Sequence, residues 1–315
     1  MVTKKILITP GDPAGIGMEC VLKALNTEKF KVALALVGPK ELWEYVAIYE
    51  KIPIKNIEYF EVPLLEKYND FVPKYAEIDA VCGKIAMECV RFAVHFCLDN
   101  PQCALMTAPI NKSAIHKAGY QYTGHTDFIS EISDVEKHAM MLSNQNLKIV
   151  LVTHHQALRT VSDSITTSAI LEKIELADNH GKKINKNKCK LAVCALNPHA
   201  GENGKFGNEE QEIILPAIES AKAKGINVSG PFSSDTIFRR ASNQEFDFVI
   251  AMYHDQGLIP IKLNGLGGIN STLGLPFFRT SPDHGTAFEI AGKHSADVSS
   301  TVAALKAAEE YINAR

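Results

Sequence analysis

Residues 246–262 read FDFVIAMYHDQGLIPIK, and the fold of the chain is read outward from them. An apolar run with the composition of a buried strand, FDFVIAMY, ends abruptly in His254 and Asp255 and then turns on Gly257. Apolar runs of about 4–8 residues bounded by turn residues are the mark of strands covered on both faces. Two more such runs end in histidine: KIVLVTHH at 148–155 and KLAVCALNPHAGENG at 190–204.

Further strands are expected in KILIT (5–9), VALALVG (32–38), CALMTA (103–108) and INVSGPF (226–232). Amphipathic stretches separate several of them. In IDAVCGKIAMECVRFAVHFCLDN (78–100) apolar residues recur at helical spacing, Asp79 stands as N-cap and Pro101 follows the end. Cys82, Cys89 and Cys97 of that helix are expected in the core. SADVSSTVAALKAAEEYINAR, at the carboxyl end, reads as another helix. Alternation of this kind predicts an α/β protein with largely parallel sheets covered by helices on both faces. A chain of 315 residues suits two such α/β/α domains. A boundary is expected near AGYQYTGHT, with a return near 285. The first domain then comprises 1–120 and 285–315, and the second 121–284.

Lys and Arg total 33 against 36 Asp and Glu, a formal charge of -3 that lacks the basic balance of a nucleic-acid binder. Seven cysteines without a CxxC pair read as reduced, buried thiols of a cytoplasmic protein. No apolar run approaches a membrane span, and MVTKKILITPGDP meets Pro10 too soon for a signal peptide.

Ligands of open α/β sheets bind beyond the carboxyl ends of the strands. One histidine there is ordinarily a hydrogen-bonded structural residue. Three at equivalent ends point to a catalytic divalent metal that keeps coordination positions open. Asp235 and Asp255 would then orient ligands or move protons. Successive residues of a strand face opposite ways, so one of His154 and His155 looks into the crevice and the other packs. PGDPAGIGMECVLKAL (10–25) places glycines where a strand gives way to a helix, either for close approach of a polar ligand or simply for a tight turn. NKSAIHKAGYQYTGHTDF gathers Lys112, His125, Thr126 and Asp127, and is either a site loop or a solvated one. PIKLNGLGGINSTLGLPFFRTSPDHGTAFEIAGK is rich in Gly, Asn, Ser and Thr for a segment flanked by core. Its Lys262 and Arg279 either hold a phosphate or are simply solvated.

ITPGDPAGIGMEC, APINKSAIHKAGYQYTGHTDF, LNPHAGENGKFGNEE, SSDTIF, YHDQGLIPIK and GLPFFRTSPDHGTAFEIAGK together resemble the 4-hydroxythreonine-4-phosphate dehydrogenases, the PdxA family, in family order over nearly the whole chain. That family is related in fold to the isocitrate and isopropylmalate dehydrogenases, a kinship visible in GDPAGIG and DHGTAFEIAGK. The resemblance implies a homodimer of two-domain subunits, its active site lying in the interdomain cleft and completed by the partner subunit. It puts metal ligands on His155, His199 and His254. It puts substrate contacts on His125, Thr126, Lys262, Asn270 and Arg279. The adenosine end of the nicotinamide cofactor falls near His284, Gly285 and Thr286. Asp235 and Asp255 match acidic residues near the substrate, and either would handle the proton. The family shows Thr-His-x-Pro-Leu around the first ligand, whereas this chain has THHQALR. His154 thus stands in the threonine position, and Ala157 in that of the proline.

The implied reaction is NAD-dependent oxidation and decarboxylation of 4-phosphooxy-L-threonine to 3-amino-2-oxopropyl phosphate, a step of pyridoxal 5'-phosphate synthesis. NADP in place of NAD stays open, as do zinc, cobalt and magnesium. Paralogues that oxidise 4-phospho-D-threonate or 4-phospho-D-erythronate share the same blocks. A metal-dependent hydrolase or lyase would leave DHGTAFEIAGK without a role, and a non-catalytic phosphate-binding protein has no need of an open metal site.

Overall fold

The computed structural model describes residues 4–54, 57–185, 189–263 and 267–314. Met1–Thr3 of the start and Asn264–Leu266 of the glycine-rich segment lie outside the described residues. In chain order the elements are β1 (Lys5–Thr9), α1 (Gly17–Thr27), β2 (Ala33–Val37), α2 (Lys40–Glu50), β3 (Glu58–Phe60), α3 (Ala80–Asp99), β4 (Ala104–Thr107), α4 (Lys112–Lys117) and α5 (His125–Ile132). Next come β5 (Ala139–Ser143), β6 (Lys148–Leu151), α6 (Val161–Ser164), α7 (Thr167–Asn185), β7 (Leu191–Cys194), α8 (Leu215–Ala223), β8 (Val228–Phe232), α9 (Ser234–Ser242) and β9 (Phe248–Ala251). The chain closes with α10 (His254–Leu263), β10 (Ile269–Leu273), β11 (Phe278–Pro282) and α11 (Ser299–Ala314).

The chain forms two compact units, Met1–Glu136 with Leu275–Asn313, and Lys137–Gly274. The divisions expected after 120 and before 285 differ from these because α5 and β11 both pack within the first unit. Arg91 of α3 lies 5.1 Å from the ring of Phe128 on α5. β11 pairs in parallel with β4, Arg279 opposite Leu105.

In the first unit the strands run β3-β2-β1-β4-β11, all parallel. Asp79 caps α3 as expected, its carboxylate accepting from Val81 N at 2.6 Å. The seven cysteines are unbridged and buried. The glycine turn of 11–17 is a packing device. Ile16 N donates to Thr286 O at 3.0 Å, and a Cβ at Gly15 would lie 2.8 Å from that oxygen.

In the second unit the order is β10-β5-β6-β9-β7-β8. The β10–β5 and β5–β6 pairs are antiparallel, and β6–β9, β9–β7 and β7–β8 are parallel. Period-two alternation splits the core across this sheet. Val150, Val193 and Ile250 pack on α7 and α8 through Ile170, Ile174 and Ile218. Ile149, Leu151 and Val249 pack on α9 and α10 through Ile237 and Ile261. Each fully buried aliphatic side chain of this kind contributes about 1.5–3 kcal/mol. Gly257 does not make the expected turn, because α10 begins directly at His254. It is a contact residue instead: a Cβ there would come within 2.6 Å of Leu151 Cδ2 and prise α10 off β6.

Each expected strand is present. β3, β5, β10 and β11 are additional, and the last two lie in the stretch noted for its Gly, Asn, Ser and Thr. Ser271, Thr272, Thr280 and Ser281 are buried there, small enough to sit in a sheet whose backbone ladder is satisfied. Among the described residues no helix is long and apolar enough to cross a membrane.

Candidate active site

β6, β9 and β7 are consecutive neighbours in the parallel part of the second sheet, so the three histidine tips leave the same edge side by side. β6 continues past its end with Val152 N donating to Ala251 O at 2.8 Å and Thr153 Oγ1 to Met252 O at 2.7 Å. His154 and His155 follow. β9 runs through Met252 and Tyr253 into α10, whose first residue is His254.

The rings of His155 and His254 lie 5.8 Å apart with planes at 44°. His154 packs edge-on against His155 at 5.1 Å and 83° and is half-buried, so His155 is the one that faces His254. Together with Leu158, Val161, Tyr253 and Asp255 these imidazoles line a cavity of about 480 Å³. His254 Nδ1 is 2.7 Å from Asp255 Oδ1. A hydrogen bond to a carboxylate there fixes the tautomer and leaves Nε2 available as a donor atom.

His199 sits in a 3-10 turn, Pro198–Glu202, and has left-handed backbone (φ 52°, ψ 33°), as has Ala200 (φ 53°, ψ 45°). Non-glycine residues enter that region at a cost of about 1–3 kcal/mol and stay only where neighbours fix them. The segment that enters this turn is held by the buried Glu210 carboxylate. Its Oε1 accepts from Leu196 N at 2.9 Å and Asn197 N at 2.7 Å, and its Oε2 accepts from Asn197 Nδ2 at 3.0 Å. The His199 ring is exposed, 6.4 Å from the ring of Phe206.

Paired imidazoles, one with a carboxylate on its outer nitrogen, have the donor chemistry of a catalytic divalent metal. Within one chain the fit extends to two ligands. Among the described residues no three His, Cys, Asp or Glu side chains gather closely enough to hold an ion.

In the first unit Arg279 is buried on β11, with Nε and Nη2 3.2 and 2.7 Å from Thr107 Oγ1. Burial lowers its pKa to about 10, so it is still a cation at neutral pH. His125 opens α5 with its Nε2 enclosed and without a hydrogen-bond partner. Burial first, and the Arg279 charge second, hold its pKa well below the ordinary imidazole value. A neutral imidazole, a buried guanidinium and the Thr126 hydroxyl in the first turn of α5 suit an anion.

Of the other expected substrate contacts, Lys262 and Asn270 belong to the second unit. Lys262 is exposed on the last turn of α10, about 12 Å along the helix from His254. Asn270 is on β10. Asp235 is exposed in the first turn of α9 and accepts from Ser233 Oγ at 2.6 Å. The His284 Nδ1 is 2.9 Å from Gly285 O, while its Nε2 is enclosed without a partner. A Cβ at Gly285 would meet nothing within 4 Å. An enclosed ring nitrogen without a partner fits a polar ligand group, as a nucleotide would offer.

Sequence reasoning passed over Thr107, Glu210, Asn197 and Gln256, which hold the candidate groups in place. The only local signal of Glu210, Asn197 and Gln256 was membership of the quoted blocks LNPHAGENGKFGNEE and YHDQGLIPIK, and Thr107 lay only in the expected strand CALMTA; none of these says anything of distant partners.

A family model described as pyridoxal phosphate biosynthetic protein PdxA matches residues 16–308. A 4-hydroxythreonine-4-phosphate dehydrogenase of Sulfurihydrogenibium sp. (strain YO3AOP1) is 41% identical over 96% of this chain and 97% of its own. A D-threonate 4-phosphate dehydrogenase of Salmonella typhimurium is 39% identical over 98% of this chain and 99% of its own. The crystal structure of a 4-hydroxythreonine-4-phosphate dehydrogenase from Klebsiella pneumoniae matches with a TM-score of 0.90 and 35% identity, covering 99% of this chain and 98% of that one.

Proposed function

The chain belongs to the PdxA family, and on that footing we propose that it is an oxidoreductase that converts 4-phosphooxy-L-threonine to 3-amino-2-oxopropyl phosphate with NAD and a divalent cation, serving pyridoxal 5'-phosphate synthesis. The observation that carries the cation is the facing pair of His155 and His254 on neighbouring strand tips, with Asp255 on the outer nitrogen of His254. His199 completes the set in a homodimer, each centre drawing imidazoles from both subunits.

A cation held there would supply Lewis acidity at the C3 hydroxyl of the substrate, and a bound nicotinamide would supply the hydride acceptor. The chain's own residues do the rest. Arg279 and Lys262 hold the phosphate, and His125, Thr126 and Asn270 fix the remaining substrate. Binding energy from that non-reacting end orients the C3–H bond. Asp255 or Asp235 takes the C3 hydroxyl proton as the C3–H electron pair leaves. The resulting 3-oxo acid loses its carboxyl as carbon dioxide, and a proton returns to the carbon that carried it. His284, Gly285 and Thr286 receive the adenosine end of the dinucleotide, where the orphaned His284 Nε2 offers a polar partner.

A second reading keeps these residues and changes the substrate to 4-phospho-D-threonate. The similar identity to a D-threonate 4-phosphate dehydrogenase favours it. The test is a turnover assay on metal-stripped protein, restored by zinc, cobalt or magnesium singly, with both substrates compared side by side. Reduced nucleotide formed from phosphohydroxythreonine supports the first reading, and formation from phosphothreonate alone selects the second. No turnover with either overturns both.

A further inference from the structure

Gln256 is buried at the edge where the candidate ligands emerge, and the proposed chemistry gives it no task. Its side-chain amide joins three chain segments. Oε1 accepts from Met252 N at 2.5 Å, and Nε2 donates to Ala195 O at 2.8 Å and to Ser234 Oγ at 2.8 Å. Ser234 Oγ in turn donates to Ala195 O at 3.2 Å.

The register of the sheet shows what this amide replaces. β7 and β9 pair in parallel through Leu191↔Phe248, Ala192↔Val249 and Val193↔Ile250. Continued two steps, that register sets Ala195 opposite Met252. There the Gln256 amide stands between the two backbones, bonded to both. It acts as a spacer, so the strand ends splay while their polar groups stay satisfied. Met252 is two residues before His254, Ala195 is four before His199, and Ser234 adjoins Asp235. One amide thus governs the exit points of two candidate ligands and one candidate proton carrier.

We propose that Gln256 is a positioning residue that sets the spacing of the β9 and β7 ends and, through it, the cation affinity of the site; this rests on the metal reading given above. A side chain of similar length without polar atoms removes the spacer's bonds, taking the Gln256 acceptor from Met252 N and leaving Ala195 O with Ser234 Oγ. Neither group touches the cation, so any effect on affinity must pass through geometry.

The experiment titrates cobalt into metal-stripped wild-type, Gln256→Met and Ser234→Ala proteins, reading the ligand-field absorption bands, with NAD binding measured in parallel. Gln256→Met is expected to weaken cobalt binding about tenfold or more, the range seen when outer partners of metal ligands are lost. Ser234→Ala, which removes one of the amide's three bonds together with the Ser234–Ala195 bond, is expected to weaken it less but in the same direction. NAD affinity should not move. Should Gln256→Met fail to fold, Ser234→Ala carries the test. Cobalt affinity equal to wild type in a variant that melts cooperatively overturns the role of Gln256 alone. Wild-type protein that binds no cobalt overturns the metal reading and this inference together.

Discussion

His155 and His254 reach the same cavity from two strands nearly a hundred residues apart in sequence because β6 and β9 are parallel neighbours, Leu151 opposite Ala251. The carboxylate of Asp255, 2.7 Å from Nδ1 of the second, orients that ring. Asp255→Asn keeps a hydrogen-bond acceptor but drops the charge. Cation affinity is expected to fall about 10–100-fold, read by cobalt titration of metal-stripped protein. Affinity equal to wild type would mean that the carboxylate serves only the proton.

Arg279 presents a buried fork whose Nε and Nη2 are held by Thr107 Oγ1. Arg279→Lys keeps a cation and loses the fork, and the two side chains are not interchangeable at such sites. The KM of the phosphorylated substrate should rise by at least about tenfold, consistent with the ~1.5–3 kcal/mol of a charge-assisted hydrogen bond, with the KM of NAD unchanged. Steady-state kinetics in both substrates decides it; an unaltered phosphosubstrate KM removes Arg279 from the clamp.

Ala157 occupies the place where the family pattern carries proline, and its backbone has φ -64° and ψ 137°. Proline is locked near that φ. The loop therefore holds the proline conformation without the ring, helped by Gln156 Nε2, which donates to Ser164 Oγ at 3.0 Å. Ala157→Pro should stabilise the fold by about 0.4–1 kcal/mol through the unfolded state, measured by chemical denaturation. A loss of stability would show that the loop needs the alanine amide.

Two buried groups tilt stability with pH in opposite directions. Burial pulls the His180 imidazole down to about 4, so the folded protein resists a proton that the unfolded chain accepts. Its contribution is complete above the unfolded value near 6.5 and is lost as pH falls through 4. Burial pushes the Asp12 carboxyl up to about 6. That contribution is complete below the unfolded value near 3.8 and is lost as pH rises through 6. Each amounts to roughly 3 kcal/mol, so between pH 4 and 6 they largely offset one another. Asp12→Asn should expose the histidine slope, with stability rising more steeply from pH 4 to 6.5 than in wild type, by urea unfolding at a series of pH values. A profile parallel to wild type contradicts the opposition.

The strands that the sequence announced were those built of Ile, Val, Leu and Ala, from KILIT to FDFVIAMY. β10 and β11 escaped because INSTL and FRTSP carry hydroxyls, an amide and a guanidinium in positions that the sheet buries. Polar composition there reads as loop unless the neighbouring ladder is known. The glycines of GDPAGIG and YHDQG were visible, but their purpose was not. Gly15 is set by the approach of Thr286, and Gly257 by the approach of Leu151.

Sequence alone determined the α/β class, the histidines at the strand tips and, through its long motif blocks, the family. These are local properties: periodicity and residue type within a few positions carry them. Tertiary structure decided that β6, β9 and β7 are adjacent, that His155 rather than His154 turns toward His254, and that Gln256 stands between Met252 and Ala195. Strand order and the spacing of strand ends arise from contacts between residues tens of positions apart, and a hydrophobic pattern is the same whichever neighbour a strand finds.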